Sequence, residues 1–292
     1  MNLDRCPVCN SHNINHIITA RDYLVTKERF QIDSCGECGF RFTNPRPDDD
    51  KLAGYYDSKG YISHSDEGTS LINSLYKISR GFALRRKQKL IGRLSKTKKL
   101  LDVGCGTGHF IDYCQRHGWQ VSGVEPNQIA RLQAEDKTKI SIRHNLSDVT
   151  ASGFGVITLW HVLEHLPNLG QTMNQLKALL APGGVLIIAV PNFEAYEATV
   201  FKEYWAAYDV PRHLYHFNHA SLSRLTKNHG LKIVRTYAMR LDSFYISLLS
   251  NTNKYSRSKY INSFITGLLS NIYALKSKNY SSLIYQINKS EA

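Results

Sequence analysis

The run Leu100-Leu101-Asp102-Val103-Gly104-Cys105-Gly106-Thr107-Gly108-His109 constrains this chain more than any other stretch. Its apolar start fits a central parallel strand buried on both faces. Glycines at every second position then let the backbone turn sharply and approach a ligand that a Cβ would obstruct. Thr107 is the expected N-cap of a helix opening near Gly108, whose free N–H groups would face a bound carboxylate. A strand feeding a helix in this way predicts an α/β fold.

Dinucleotide sites use similar glycine spacing, so the loop alone leaves another α/β nucleotide binder open. Two carboxylates narrow the choice. Asp102 lies inside the strand end, placed to hold an amino group. Residues 120–125 read as a second strand, and its last residue, Glu125, suits the two hydroxyls of a ribose. With these residues the sequence resembles the class I S-adenosylmethionine-dependent methyltransferases, whose first motif has the form LDVGCGTG followed by an acid that ends strand two. The resemblance implies a seven-stranded Rossmann-like sheet and S-adenosylmethionine as cofactor. Asp102, Gly104, Cys105, Gly106, Gly108, Glu125 and Pro126 would hold that cofactor. Asp148 falls where related enzymes contact the adenine edge, and Trp160 and His161 fall where they line the cofactor.

The remaining core follows the same pattern. Residues 140–144 are expected as the third strand, 155–160 as the fourth and 185–192 as the fifth. Strands 231–238 and 282–288 would close the sheet as an antiparallel pair. Helices are expected to about His117 and over 127–135, 169–181 and 220–229. The segment His161-Val162-Leu163-Glu164-His165 resembles a post-strand motif of the family. In quinone-ring O-methyltransferases the similar segment contributes to a divalent-metal site, matched here by His161, Glu164 and His165. The alternative is that Glu164 and His165 merely hold the loop by hydrogen bonds. An insertion, 193–219, follows the carboxyl end of strand five, where open α/β sheets bind substrates. Five of the chain's twelve histidines lie between 161 and 219, more titratable groups than a structural loop needs. His213 and His216 are the expected bases for removing a proton from a methyl acceptor, with His161 next.

The N-terminus carries two C-x-x-C knuckles, Cys6/Cys9 and Cys35/Cys38, separated by 25 residues. Paired knuckles read as a four-thiolate zinc site, whose closed coordination makes it structural rather than catalytic. Residues 1–47 are thus expected as a zinc ribbon, with Tyr23–Val25 and 29–34 as short strands and His12 and His16 on the surface. Cys105 and Cys114 look like small apolar fillers of the core. Residues 48–97 form a helical linker or flap. It has a short helix at 48–56 and a longer one at 70–94 with Leu71, Leu75, Ile78, Phe82 and Leu90 on one side. Tyr55, Tyr56 and Tyr61 either fold over the cofactor pocket or pack the ribbon onto the core. Arg85, Arg86, Lys87 and Lys89 read as a solvated face. The methyltransferase domain spans 98–292.

Before the last strand lies a helical insertion, 240–280. Its apolar residues repeat at helical spacing over 260–273, and the opposite side is Asn, Ser and Thr. Interfacial membrane helices usually carry a basic polar face, so a substrate lid or a homodimer contact is expected ahead of a membrane surface. Lys254, Arg257 and Lys259 sit at the helix's positive end, which suits an anionic group bound between them.

The net charge of +13 divides as +1 over 1–47, +5 over 48–98, +2 over 99–239 and +5 over 240–292. A general attraction to anions follows. A nucleic-acid site does not. The alternative, an RNA methyltransferase positioned by the ribbon, meets a ribbon of charge +1 and no Asn/Asp-Pro-Pro-Tyr motif. A scaffold without catalysis is at odds with the intact glycine loop. No apolar run approaches the roughly 20 residues of a spanning helix, and the first residues have no apolar signal core, so a cytoplasmic enzyme is expected. The ribbon, glycine loop and histidine loop together resemble bacterial sugar- and metabolite-modifying methyltransferases with an N-terminal zinc module. They imply transfer to O or C of a sugar, quinone, lipid precursor or natural-product intermediate.

Overall fold

A computed structural model of the protein describes residues 1–56, 71–95 and 97–290; Tyr61 lies outside them. The ribbon is an antiparallel sheet of β1 (Ile14–Arg21), β2 (Arg29–Cys35) and β3 (Arg41–Thr43). The expected strand at 23–25 is instead the turn between β1 and β2. The Asp22 carboxylate captures it, accepting from the N–H groups of Leu24, Val25 and Thr26 at 2.8–3.2 Å, an Asx-type closure. Helix α1 (Asp49–Leu52) and a following 3₁₀ turn, Ala53–Tyr56, lead away from the ribbon.

In helix α2 (Leu71–Leu94) the side chains of Leu71, Leu75 and Ile78 lie outside the described ones, and over the rest the buried stripe differs from the expected one. Phe82 is exposed, whereas Ile91 is buried, with Leu84 and Leu94 packed in the same cluster. Lys87 falls on that stripe, at the 3–4–3 spacing of one helical face.

The core sheet has the order β5-β4-β6-β7-β10-β9, with β4 (Lys99–Val103), β5 (Gln120–Val124), β6 (Phe154–Trp160) and β7 (Leu180–Pro191) parallel. Strand β10 (Ser282–Lys289) runs antiparallel between β7 and β9 (Leu231–Ala238). The family fold is as expected, but six strands stand where seven were counted. Over 140–144 only Arg143 bridges to Val124. The neighbouring Ile142 N–H faces away from β5 and donates to Glu135 Oε1 at 2.9 Å, and the pairing stops at that single bridge. Strand β7 also begins earlier than expected, at Leu180. Helices α3 (His109–Arg116), α4 (Gln128–Thr138) and α5 (Leu169–Leu179) follow β4, β5 and β6. Thr107 does not cap α3: the helix starts at His109, after Gly108 at φ +78°.

After β7 come α6 (Tyr196–Phe201), β8 (Tyr215–His216) and α7 (His219–Asn228). Strand β8 pairs with β3, Arg41 opposite His216 and Phe42 opposite Tyr215, so the insertion supplies the fourth strand of the ribbon sheet. The 240–280 insertion is two helices rather than one, α8 (Asp242–Tyr255) and α9 (Tyr260–Ser277).

Candidate functional site

Functional side chains gather at the carboxyl ends of β4, β5, β6 and β7, in two groups. The glycine side is built by neighbours in sequence. Gly104, Gly106 and Gly108 all have positive φ. At Gly106 (φ +54°) an added Cβ would meet no atom within 4 Å, so that position borders open space and is held by backbone geometry alone. Its N–H donates to Glu125 Oε2 at 2.8 Å, and the other oxygen accepts from Asn127 N at 2.9 Å. Burial raises the Glu125 carboxyl above its ordinary value, against those two donors. Cys105 is buried beside this loop and Cys114 in the core below, as fillers.

Asp102 lies in register with Thr158 on the adjacent strand, and Thr158 Oγ1 donates to Asp102 Oδ1 at 2.5 Å. Burial pushes the Asp102 carboxyl up to about 7, resisted by that hydrogen bond and by the charge of Lys87. Lys87 is not solvated: its ammonium stands 4.3 Å from the Trp160 ring centroid. Burial lowers its pKa, with Asp102 and Asp242 opposing. A charged residue on the helix stripe Leu84-Lys87-Ile91-Leu94 was the signal, masked by its basic neighbours. Pro126 is exposed in the turn after β5. Asp148 is exposed too, and its Oδ2 accepts from Asn145 N at 2.9 Å, capping its own turn.

The histidine side is assembled from distant segments. His161 follows β6 at φ +57°, a left-handed conformation unusual for a residue with a Cβ. Its Nδ1 lies 3.5 Å from Glu164 Oε1 and its Nε2 3.4 Å from Asp242 Oδ2. Burial works to lower the His161 pKa, but the two carboxylates raise it to about 9, so the ring is cationic at neutral pH. Burial likewise opposes the charge on Glu164, yet His161 and the neighbouring rings hold its carboxyl below the ordinary value.

Glu164 is 1% exposed, and neither carboxylate oxygen accepts a conventional hydrogen bond from the described residues. His165 and His213 stand beside it, their rings edge to face with centroids 4.6 Å apart. His213 Nδ1–H donates to Ala207 O at 2.8 Å, which leaves Nε2 as the acceptor nitrogen. His165 Nδ1 approaches Arg212 O at 3.1 Å and Tyr56 Oη at 2.9 Å. Burial, then the charge of His213, lowers the His165 pKa to about 4.

His216 does not join this group. It lies in β8 against Thr43, Nε2 to Oγ1 3.3 Å, in a seam that His213 also lines and that has no room for a water molecule. Burial holds it well below the ordinary imidazole value. The two described tyrosines part company. Tyr56 reaches His165, whereas Tyr55 packs on the ribbon through Phe30 and Glu28.

Sequence reasoning missed what fastens this side. Arg212, 1% exposed, forms ion pairs with Asp22 at 2.9 Å and Asp209 at 2.7 Å and donates to Tyr55 O at 3.0 Å. It joins the histidine loop, the ribbon turn and the linker at one guanidinium, a use of its planar fork that lysine cannot match.

Two groups among the described residues have cation-binding spacing. The ligand atoms of Cys6, Cys9, Cys35 and Cys38 lie within 4.8 Å of one another, with Cys6–Cys38 and Cys9–Cys35 sulfurs 3.5 Å apart. That is close to the ~3.8 Å edge of a tetrahedron with Zn–S bonds of about 2.3 Å. The donor set fits structural zinc. Glu164, His165 and His213 form the other group; a buried carboxylate that accepts no conventional hydrogen bond, with two imidazoles, fits a divalent cation. His161, expected there, bridges Glu164 and Asp242 and stands outside that trio.

Residues 76–236, more than half of the chain, match a methyltransferase-domain family. A ubiquinone biosynthesis O-methyltransferase of Azoarcus sp. (strain BH72) is 28% identical over 49% of this chain and 67% of its own length. That of Coxiella burnetii is 33% identical over 36% of this chain and 49% of its own. The chain thus spans about half to two thirds of the curated relatives it matches. Among solved structures, magnesium protoporphyrin IX methyltransferase of Synechocystis PCC 6803 with bound SAH shares the fold, with TM-score 0.53 and 16% identity over 83% of this chain and 100% of that one.

Proposed function

Because the chain belongs to the methyltransferase-domain family, we propose that it methylates O or C of a small molecule, with S-adenosylmethionine as donor. The observation that carries this reading is the pairing of an open glycine turn at Gly106 with two buried carboxylates at adjacent strand tips, Asp102 and Glu125. Glu125 would take the ribose hydroxyls, Asp102 the amino group, and Lys87 the carboxylate of the amino-acid end. When bound, this cofactor supplies a methyl group activated on a sulfonium. The chain's own part is to hold the acceptor in line and take up its proton.

His213 is the base this reading favours, since Ala207 O holds its Nδ1–H and leaves Nε2 as the acceptor nitrogen, with the Asp209 carboxylate 4.0 Å away to stabilise the imidazolium. The cationic His161 is suited to stabilising negative charge on an acceptor rather than to removing a proton. The names of the ubiquinone O-methyltransferase relatives support a small-molecule acceptor, and a quinone-like or other anionic phenolate would suit His161. Calorimetry tests the core of the proposal. The protein should bind S-adenosylmethionine, and Gly106→Val, whose side chain enters the open space beside the loop, should abolish binding. Unchanged affinity in that variant would overturn the assignment.

A further inference from the structure

Helices α8 and α9 are packed inside out. Where they meet, α9 presents buried Ser263 and Gly267 and α8 presents buried Ser243, Ser247 and Asn251, while Ser250 turns to Ala206 and Ser270 to Glu197. Polar groups cross the seam. Asn251 Nδ2 donates to Ser263 Oγ at 2.9 Å, and Ser243 Oγ donates to Gly267 O at 3.0 Å. The helices approach so closely at Gly267 that a Cβ there would lie 2.9 Å from Phe244 Cα.

The large apolar side chains point the other way. Ile261 is 76% exposed, Phe264 60% and Ile272 51%, and Ile265, Leu268 and Leu275 extend the same exposed face. Small residues and hydrogen bonds inside, with apolar residues outside, is how helices pair when lipid surrounds them. An apolar surface of this extent on one element marks an interaction site.

Charge selects the occupant. From 243 to 290 the chain has no Asp or Glu, while Lys254, Arg257 and Lys259 cluster at the hairpin tip and Lys276 and Lys278 stand at the far end of α9. A second copy seated on this face would bring two acid-free, basic segments together. An anionic lipid surface complements both the apolar face and its basic ends. Of the polar residues that argued against a membrane on sequence grounds, Ser263 and Ser270 are buried against other helices and Thr266 and Asn271 are half-buried, so only Asn262 among them is fully exposed. No helix among the described residues is long and apolar enough to cross a membrane.

We propose that the α8–α9 hairpin docks this protein on an anionic membrane surface, with the Ile261–Leu275 face in the headgroup–acyl boundary and the tip cations on lipid phosphates. The hairpin also adjoins the histidine side, since Ser250 Oγ accepts from Ala206 N at 2.9 Å and Asp242 meets His161. An open cleft of about 210 Å³, lined by Phe201, Lys254, Tyr255 and Ile265, lies between the hairpin and the end of α6. The proposal does not depend on the methyl-transfer reading.

The test is co-sedimentation of the full chain with vesicles of phosphatidylcholine, alone or mixed with phosphatidylglycerol. Binding to the mixed vesicles should be about tenfold or more tighter than to the neutral ones and should weaken with salt. Phe264→Glu with Ile265→Glu, and separately Lys254→Glu with Lys259→Glu, should each reduce it about tenfold or more. Circular dichroism and cofactor affinity, unchanged in both variants, would show that the fold persists. Failure of the wild type to bind, equal binding by the variants, or a concentration-dependent dimer that Phe264→Glu/Ile265→Glu abolishes in ultracentrifugation would overturn the proposal.

Discussion

The glycine side and the histidine side occupy the same end of one sheet, yet they are put together from very different distances along the chain. Asp102, Gly106 and Glu125 lie within 24 consecutive residues and are fixed by two neighbouring strands and the turn between them. On the other side, Tyr56, His165 and Arg212 meet across the linker, the β6 loop and the insertion, and Arg212 reaches back to Asp22 in the ribbon. The β3–β8 ladder closes that circuit. The ribbon is therefore a wall of the histidine side, and damage to it should spread there while leaving the glycine side in place.

The largest break in that comparison is loss of the thiolate site. Structural zinc contributes on the order of 10 kcal/mol to small folds that depend on it. Cys35→Ser, or chelation, should release one zinc per chain, measured by plasma emission spectrometry. Hydrogen exchange should then rise over 29–43 and 213–217 and acceptor turnover should fall about a hundredfold or more, with cofactor affinity changed only a fewfold. Equal loss of both functions would mean that the two sides are one cooperative unit. Next is Arg212→Ala. Removing one partner of a buried ion pair leaves an uncompensated charge at Asp22 and costs about 3–5 kcal/mol, which should appear as a lower urea midpoint. Arg212→Lys should recover only part of it, because an ammonium cannot serve Asp22, Asp209 and Tyr55 together.

Glu125→Gln probes the other side. Its carboxylate accepts charge-assisted hydrogen bonds worth about 1.5–3 kcal/mol, so cofactor affinity should fall roughly tenfold to a hundredfold by calorimetry, while exchange over 213–217 stays unchanged. The asymmetry also explains what could be read in advance. The glycine turn, its two acids, the C-x-x-C pairs and the alternation of strands and helices are local patterns, and the sequence displays them directly. Lys87 was hidden because Arg85, Arg86 and Lys89 make its surroundings look solvated, although Leu84 and Ile91 put it on the buried stripe. Arg212 was hidden because nothing near 212 announces Asp22. The third strand is reduced to one bridge, Arg143 to Val124, although its alternating residues 140–144 have the period of a strand. The period of α9 was legible, but its orientation was not, since apolar residues are read as inward and here Gly267 and serines take that place.

Acid should separate the two sides with the smallest effect, and with opposite signs. Asp102 has its folded pKa raised by burial from 3.8 to about 7. A carboxyl raised on folding favours the protonated native state, so its contribution to stability is present at low pH and is lost as pH rises from about 4 toward 7. Asp22 is the reverse. Burial alone would raise it, but Arg212 and the Thr26 N–H lower it to about 2. Its contribution, about 2 kcal/mol by that shift, is present above about pH 4 and is lost as pH falls toward 2. Measured against Asp102→Asn, the wild type should gain stability by urea titration as pH drops from 7 toward 4, and measured against Asp22→Asn it should lose stability below about pH 4. The differences isolate these carboxyls from His165 and His216, whose lowered values cost stability as pH falls below 6.5. Cofactor affinity should weaken as pH drops from 7 toward 4, because the Asp102 that binds an ammonium is the ionised one. Affinity that stays constant over that range would remove Asp102 from the cofactor site.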